Sequence, residues 1–423
     1  MKVLHLSNHY PPYHQGNTEL QCHQFIEVLS RQGHRERVLT SVPPANAQPD
    51  DSGGEVFREL QIYTPEMGAH PPLATLQKIE QHNHQVLQRH LDEFRPEVIV
   101  IWSMQNLSLS MLLKLEETGL PVVYGFYNRW TDFWLKKDPW MAFWKGNVQS
   151  KLSFGQKLMR SMGMDKMVTK GIPTDSWRKI NFRHAFFCSE SFKKTTLGQG
   201  FALETAHIIP CAISFTDFAF RAERRTPARR LVYIDRLTEG KDTLTAIKAI
   251  KELRRMGHSR FSLDIYGRAD RHYEKICHEF IRKSQLGGAV SIKSLDEEDL
   301  PTVMKDYDIV VVTVKDPEPF PLTTIKAMAV GLPVISTPSG ANKEVITDGE
   351  TGVLYRAGDA KDLAEKIEAL SENAELMASI ARKAREMVEI RYDIRRVAAE
   401  LHAYLRDIVT GDDSAPTEED DGE

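Results

Sequence analysis

The chain has 423 residues, 41% hydrophobic and 27% charged, a balance that supports packed domains and excludes global disorder. Its formal charge of −4 hides an acidic terminus: seven acids fall within residues 411–423, so the rest carries a slight positive excess, which makes nucleic acid a poor partner. Four scattered cysteines with no C-x-x-C exclude a disulfide framework, and no run approaches the ~18 apolar residues of a membrane span, so a cytoplasmic protein with buried thiols is expected.

In chain order, Lys2-Val3-Leu4-His5-Leu6-Ser7 reads as a short buried strand, followed by a loop with Pro11, Pro12 and Gly16. The opening residues are too short an apolar run for a signal peptide. Helical spacing through Leu20, Phe25, Ile26 and Leu29 ends at Gly33, and a strand follows at Val38-Leu39-Thr40. The apolar runs at 98–102, 121–124 and 185–188 alternate with helical stretches, the pattern of βαβ units on a parallel sheet.

A second, similar programme starts at Arg230–Ile234. It predicts a helix over Thr243–Met256 closing at Gly257 and a strand over Phe261–Tyr266 ending at Gly267. Further strands are expected at 290–292, Ile309–Val314 and 333–336, with a helix over Thr323–Val330 that stops at Gly331 in a left-handed cap. Residues 210–227 read as a hinge region between two doubly wound α/β domains. From about Asp362 to Ile408 the pattern is helical, broken near Tyr392-Asp393, and the acidic tail after Gly411 is expected to be disordered.

Ligands of open α/β sheets bind beyond the carboxyl ends of the strands, where helix N-termini present unpaired N–H groups suited to phosphate. The second half offers two such strand ends. Ile309–Val314 runs through Lys315-Asp316-Pro317-Glu318-Pro319-Phe320-Pro321 into the helix, whose first amides, Leu322, Thr323 and Thr324, are candidate donors; Pro321 has none to give. The other end carries Arg236 and Lys241, which either converge on a diphosphate or form a solvated charged loop. There is no G-x-G-x-x-G after the first strand, and Gly240-Lys241 lacks the remainder of a Walker loop.

The run Glu318-Pro319-Phe320-Pro321-Leu322, then Ala327–Ile335, Glu344-Val345-Ile346, Asp348-Gly349-Glu350-Thr351-Gly352 and Gly358-Asp359, closely resembles the donor domain of the retaining GT-B glycosyltransferases of the large family four. The Arg236 to Lys241 spacing is similar to that family's diphosphate-binding pair, and Pro11-Pro12, Gly16, Glu19, Leu29 and Gly33-His34 more weakly resemble its N-terminal acceptor-side pattern. The resemblance implies two Rossmann-like domains facing a central cleft: an acceptor domain over 1–215, a donor domain over 216–390, a crossing helix over 391–410 that returns to the first domain, and the tail. It implies transfer of a sugar from a nucleotide-diphosphate donor to a hydroxyl acceptor, with retention, without a metal and without any other cofactor. By the same resemblance Glu318 contacts the transferred sugar while Arg236 and Lys241 stabilise the leaving diphosphate. Phe320, Pro321, Leu322, Thr323, Lys326, Gly267 and Glu344 make up the donor-binding set; Gly16, Asn17, Asn128 and Arg129 stand on the acceptor side.

Three positions depart from the family pattern. The second glutamate of its E-x7-E motif falls at Lys326, and an ammonium can only donate where the carboxylate would accept from ribose hydroxyls. Asp235 replaces the glycine beside the diphosphate-binding arginine, and Asn17 replaces the second glycine of Gly-Gly. They motivate an alternative reading, a catalytically silent GT-B relative that binds a nucleotide sugar or a protein; a sugar-nucleotide epimerase of the same fold is the third option.

Two other features carry rival meanings. Asp306-Tyr307-Asp308 has the D-x-D form of a metal motif but immediately precedes a buried strand, where acids commonly serve structure. The segment from about 129 to 180 gathers Trp130, Trp134, Trp140 and Trp144 with Lys136, Lys137, Lys145, Lys151, Lys157, Arg160, Lys166 and Lys170. It is either an insertion packed onto the first domain or a peripheral contact with the cytoplasmic face of a membrane.

Overall fold

The structure is a computed structural model and describes residues 1–44, 47, 55–68, 70–145, 169–198, 201, 203, 205–221, 227–294 and 299–411. The acidic tail from 412 and residues 222–226 of the expected hinge lie outside the described residues. The described residues form two compact units: one from Met1–Cys188, Leu197–Ile209 and the chain from Ala398 on, the other from Ser189–Thr196 and Pro210–Val397.

The first domain is built on a seven-stranded sheet in the order β3-β2-β1-β4-β5-β6-β7. Its strands are β1 (Lys2–Ser7), β2 (Arg35–Ser41), β3 (Val56–Leu60), β4 (Val98–Ser103), β5 (Val122–Phe126), β6 (His184–Phe187) and β7 (His207–Ile208). Every pairing is parallel. Strand β4, Val-Ile-Val-Ile-Trp-Ser, is buried at every position, as expected of a strand covered on both faces. Helix α1 (Asn17–Arg31) buries Cys22, Phe25, Ile26 and Leu29, one apolar stripe at helical spacing, and the chain leaves it through Gly33 at φ 88°. Helices α2 (Leu73–Phe94), α3 (Ser110–Glu116), α4 (Trp130–Trp134) and α5 (Pro139–Lys145) follow in this domain.

The second domain has a six-stranded parallel sheet, β10-β9-β8-β11-β12-β13. Its strands are β8 (Arg230–Ile234), β9 (Ser262–Tyr266), β10 (Val290–Lys293), β11 (Ile309–Val312), β12 (Val334–Ser336) and β13 (Val353–Leu354). The helices are α6 (Glu190–Leu197), α7 (Thr243–Arg255), α8 (Arg271–Lys283), α9 (Leu300–Met304), α10 (Leu322–Ala329), α11 (Asn342–Val345), α12 (Ala360–Ser371) and α13 (Ala374–Tyr392). Leu231, Ile247, Ile250, Leu263, Ile309, Ile335 and Ile367 join strands and helices in one core. Asp270 caps α8 by accepting from the amides of His272 and Tyr273, and Gly331 ends α10 at φ 73°.

The last helix, α14 (Ile394–Thr410), starts after a break at Asp393. Here Ile213 N donates to Tyr392 O and Ile394 N to Ile213 O, each at 3.0 Å. From Ala398 onward the helix belongs to the first domain, where Tyr404 Oη donates to Ala185 O at 3.1 Å and His402 stacks on His34 at 4.0 Å.

Candidate active site

In each sheet the strand order reverses beside the domain's first strand, so a crevice opens between β1 and β4 in one domain and between β8 and β11 in the other. The second crevice joins the residues singled out from the sequence. After β8 the chain turns through Asp235 and Arg236 to Lys241, and Asp242, left-handed at φ 49°, begins α7. After β11 it runs through Thr313 to Pro321. The two loops are stitched together: the amides of Lys315 and Asp316 donate to Gly240 O at 2.9 and 3.1 Å, and Thr313 Oγ1 and Tyr233 Oη donate to Lys241 O at 2.7 and 3.1 Å.

That stitching fixes Lys241, which is 7% exposed. Its ammonium meets Asp235 Oδ2 at 2.6 Å and also pairs with Glu318. Burial lowers the lysine pKa, and the charge of Asp235 opposes the shift. Arg236 is exposed and makes no side-chain hydrogen bond or ion pair among the described residues. One cation, Lys241, therefore meets two carboxylates at the crevice, with Arg236 exposed on the same loop.

Two glycines allow the approach. A Cβ on Gly267, at φ 155°, would lie 1.8 Å from Asp235 O, and one on Gly340, at φ 55°, would lie 2.8 Å from both Glu318 N and Glu318 O. Gly267, expected among the donor contacts, thus lies against the backbone of Asp235. Sequence reasoning missed Gly340, whose signal was its place in the Ser339-Gly340 turn after β12.

Helix α10 starts where the sequence placed a phosphate-ready terminus. Ile325 N donates to Pro321 O, and the first-turn amides of Thr323 and Thr324 precede any intrahelical acceptor. Leu322 N instead turns back to Phe320 O at 3.2 Å, which takes it out of the expected donor set. The Phe320 ring meets Tyr392 edge-on at 5.5 Å and holds the turn, while Lys326 stands half-buried on the next turn. Glu344 needs correction: its two carboxylate oxygens accept from the amides of Glu190 and Ser191 at 3.1 and 2.6 Å, so it caps α6 instead of standing open to a donor. Asp308 of the D-x-D run is likewise structural, accepting from the amides of Arg229 and Arg230 at 2.9 Å.

In the first domain, Gly16 precedes α1 and donates its amide to Glu19 Oε2 at 3.1 Å; Asn17 beside it is exposed. Burial pushes the Glu19 pKa up to about 7. Asn128 and Arg129 follow β5, and Asn128 Oδ1 accepts from Trp130 N at 3.0 Å. Both pairs stand at the carboxyl edge of their parallel sheet. The tryptophans are core residues: Trp130, Trp134, Trp140 and Trp144 are 2, 8, 0 and 1% exposed, and Trp134 and Trp140 donate Nε1 to Leu107 O and Pro173 O. This corrects the membrane reading of these rings, which would have to leave the core to reach a bilayer. Lys136, Lys137 and Lys170 are exposed, while residues 146–168, with Lys151, Lys157, Arg160 and Lys166, lie outside the described residues. No helix among the described residues is long and apolar enough to cross a membrane. The four cysteines are buried and unbridged.

Residues 215–387 match the family model described as glycosyl transferases group 1. The matched segment lies within the second domain. It contains both loops of the crevice, Arg236, Lys241 and Glu318. Curated relatives include glycogen synthase of Mycobacterium tuberculosis, 30% identical over 193 residues, covering 44% of this chain and 45% of that protein. Another is a phosphatidyl-myo-inositol mannosyltransferase of Mycobacterium leprae, 30% identical over 132 residues, covering 30% of this chain and 35% of that protein. The chain thus spans less than half the length of the curated relatives it matches. Solved structures match across both domains. Anabaena Alr3699/HepE, in complex with UDP and glucose, gives a TM-score of 0.67 at 17% identity, covering 96% of this chain and 99% of that one. Sucrose-phosphate synthase of Thermosynechococcus elongatus gives 0.70 at 17% identity, covering 97% and 99%. The chain has the GT-B fold, with a doubly wound parallel sheet in each domain.

Proposed function

We propose that the protein is a hexosyl-type glycosyltransferase that moves a sugar from a nucleotide-diphosphate donor to a hydroxyl acceptor, with retention and without a metal. The observation that carries this reading is the crevice between β8 and β11, where Lys241 pairs with Glu318 and Asp235 within the segment that matches glycosyl transferases group 1. The UDP and glucose bound by the Anabaena neighbour support a donor of this class.

In the proposed reaction the acceptor oxygen bonds to the anomeric carbon as the bond from that carbon to the diphosphate oxygen breaks. The bonding pair leaves with the diphosphate, and the acceptor proton passes to a diphosphate oxygen. Arg236 and Lys241 face the charge that grows on the leaving group, where preorganised cations contribute most. Glu318 accepts hydrogen bonds from hydroxyls of the transferred sugar. The test is turnover: Glu318→Ala abolishes transfer, and Arg236→Ala also weakens binding of nucleoside diphosphates. Unchanged turnover in both variants overturns the assignment.

The silent-relative reading draws on one observation, the engagement of Lys241 by Asp235 and Glu318. Nucleotide binding without donor hydrolysis or transfer selects it.

A further inference from the structure

The outer face of α2 departs from an ordinary solvated helix face. Its inner stripe, with Leu76, Ile79, Val86 and Leu87, is buried in the first domain. Solvated faces intersperse charges of both signs, and acids favour the N-terminal half of a helix. Residues 73–85 carry a single acid, Glu80, and it is buried. The outward positions of that stretch include Gln77, Lys78, Gln81, His82 and Gln85 instead.

These side chains form one wall of a cavity of about 460 Å³, which Gln61 and Lys170 complete. That volume falls in the range of small-molecule sites. The wall runs from Ala74 to Gln85, three turns of helix or about 16 Å. Gln61 follows the edge strand β3, and Lys170 precedes Gly171 in the same compact unit. Strand β2 lies between β3 and the β1–β4 crevice, and none of Gly16, Asn17, Asn128 and Arg129 lines the cavity.

We infer that this cavity binds a phosphorylated monosaccharide, its phosphate held by Lys78 and Lys170 and its hydroxyls by the glutamine amides. The site is separate from the crevice assigned to transfer, and its occupancy does not depend on that assignment.

The chemistry of the lining selects this ligand. Each glutamine amide offers two donors and an acceptor, the complement of hydroxyls that play both parts. The side chains of Gln61, Gln81 and Gln85 make no hydrogen bond among the described residues. His82 donates Nε2 to Glu59 O at 2.8 Å, because a carbonyl only accepts, and Nδ1 of the neutral ring is then an acceptor. Lys78 and Lys170 are exposed, enter no ion pair among the described residues, and face no acid in the lining. Two ammonium groups match a phosphate monoester, whose charge at pH 7 is about −1.5 to −2. Other classes fit less well. No aromatic ring lines the cavity for a nucleobase to stack on. Ala74 is the one apolar side chain, too little to hold a lipid tail or an apolar peptide. A bare phosphate would leave most of the volume and the amides unused.

Isothermal titration of the full chain with glucose 1-phosphate, glucose 6-phosphate and mannose 6-phosphate, against glucose and inorganic phosphate, reads the class. At least one hexose phosphate is expected to bind about tenfold tighter than either fragment, and less tightly as salt rises. Lys78→Gln and Lys170→Gln remove exposed charges and keep the wild-type melting midpoint, while each weakens that binding about tenfold. Gln81→Ala weakens it about fivefold by removing one amide. No binding of any hexose phosphate overturns the inference, as does glucose or inorganic phosphate binding equally well. Binding that both lysine variants retain and Arg236→Ala abolishes places the sugar phosphate in the other domain and overturns it too.

Discussion

Lys241 Nζ and Asp235 Oδ2 lie 2.6 Å apart, and the carboxylate stands where the family resemblance places a glycine. Asp235 thus offers the lysine an anionic oxygen of the kind a diphosphate would bring. A donor must compete with it, and the carboxylate also repels the incoming phosphate. Asp235→Asn keeps the shape and removes the charge. It is expected to tighten UDP, GDP or ADP binding about tenfold, worth ~1.4 kcal/mol, by isothermal titration. Weaker binding would mean that Asp235 serves the donor by holding Lys241 in place.

Removing the cation should cost more than removing either acid. Lys241→Met leaves Asp235 and Glu318 facing each other at side-chain exposures of 19 and 23%. Stranding a fully buried charge destabilises by about 3–5 kcal/mol, and these two are only partly buried, so a loss of roughly 2–3 kcal/mol in the second domain is expected. Adding Asp235→Asn to Lys241→Met should restore part of it. A double-mutant cycle in denaturant, followed by second-domain amide exchange, measures the coupling.

These relationships divide what the sequence reveals from what it hides. Periodicity and glycine caps were enough to place strands β1, β4, β8, β9 and β11 and helices α1, α7 and α10, since burial on both faces leaves unbroken apolar runs. Resemblance brought Arg236, Lys241 and Glu318 to one crevice. The partners of those groups were not legible, because ion pairs such as Lys241 with Asp235, or the cap of Glu344 on Glu190 and Ser191, join residues whose packing has no local signature. The tryptophan cluster misled for the converse reason. Its spacing shows that the rings gather, and only the fold shows that they gather inward.

The close passage of Gly340 against Glu318 gives a graded test. Gly349→Ala meets open space and bears only the strain of a positive φ, about 1–2 kcal/mol. Gly340→Ala bears that strain and also drives a Cβ against Glu318 N and O, adding about 1–3 kcal/mol of overpacking. Only Gly340→Ala should also reduce turnover, because relieving the clash displaces Glu318. Thermal melts paired with transfer assays separate the two effects.

A pH signature belongs to the first domain. Glu80 is buried, accepts from Tyr63 Oη and Ser110 Oγ, and has its pKa pushed up to about 8 by burial and by Asp138. Burial also raises Asp138 to about 6 and lowers His84, which contacts Ser110 Oγ at 2.7 Å, to about 4. A raised carboxyl contributes stability that is complete below its unfolded value, near 4.5, and is lost as pH climbs through the folded value. Asp138 has lost most of its share by about pH 7, Glu19 is midway through its titration there, and the His84 contribution is lost only toward acid pH. Above pH 7 the fall in stability is therefore shared by Glu19 and Glu80 among these groups, with the Glu80 share lost last. Glu80→Gln, which mimics the protonated acid, should gain on the wild type across that interval; denaturant midpoints at pH 6, 7, 8 and 9 check it.

Glu344 offers the sharpest contrast between stability and binding. Its carboxylate satisfies the first two amides of α6 and complements the positive end of that helix, so Glu344→Ala gives up two charge-assisted hydrogen bonds. Helix α6 should then lose roughly 1.5–3 kcal/mol of protection in amide exchange. Nucleoside diphosphate affinity should stay within about twofold of wild type, because both oxygens are already engaged inside the domain. A large drop in that affinity with α6 still protected would return Glu344 to the donor site. It would also mean that the carboxylate exchanges its helix partners for the ligand, a movement that Glu344→Gln, keeping one acceptor oxygen, would reproduce in part.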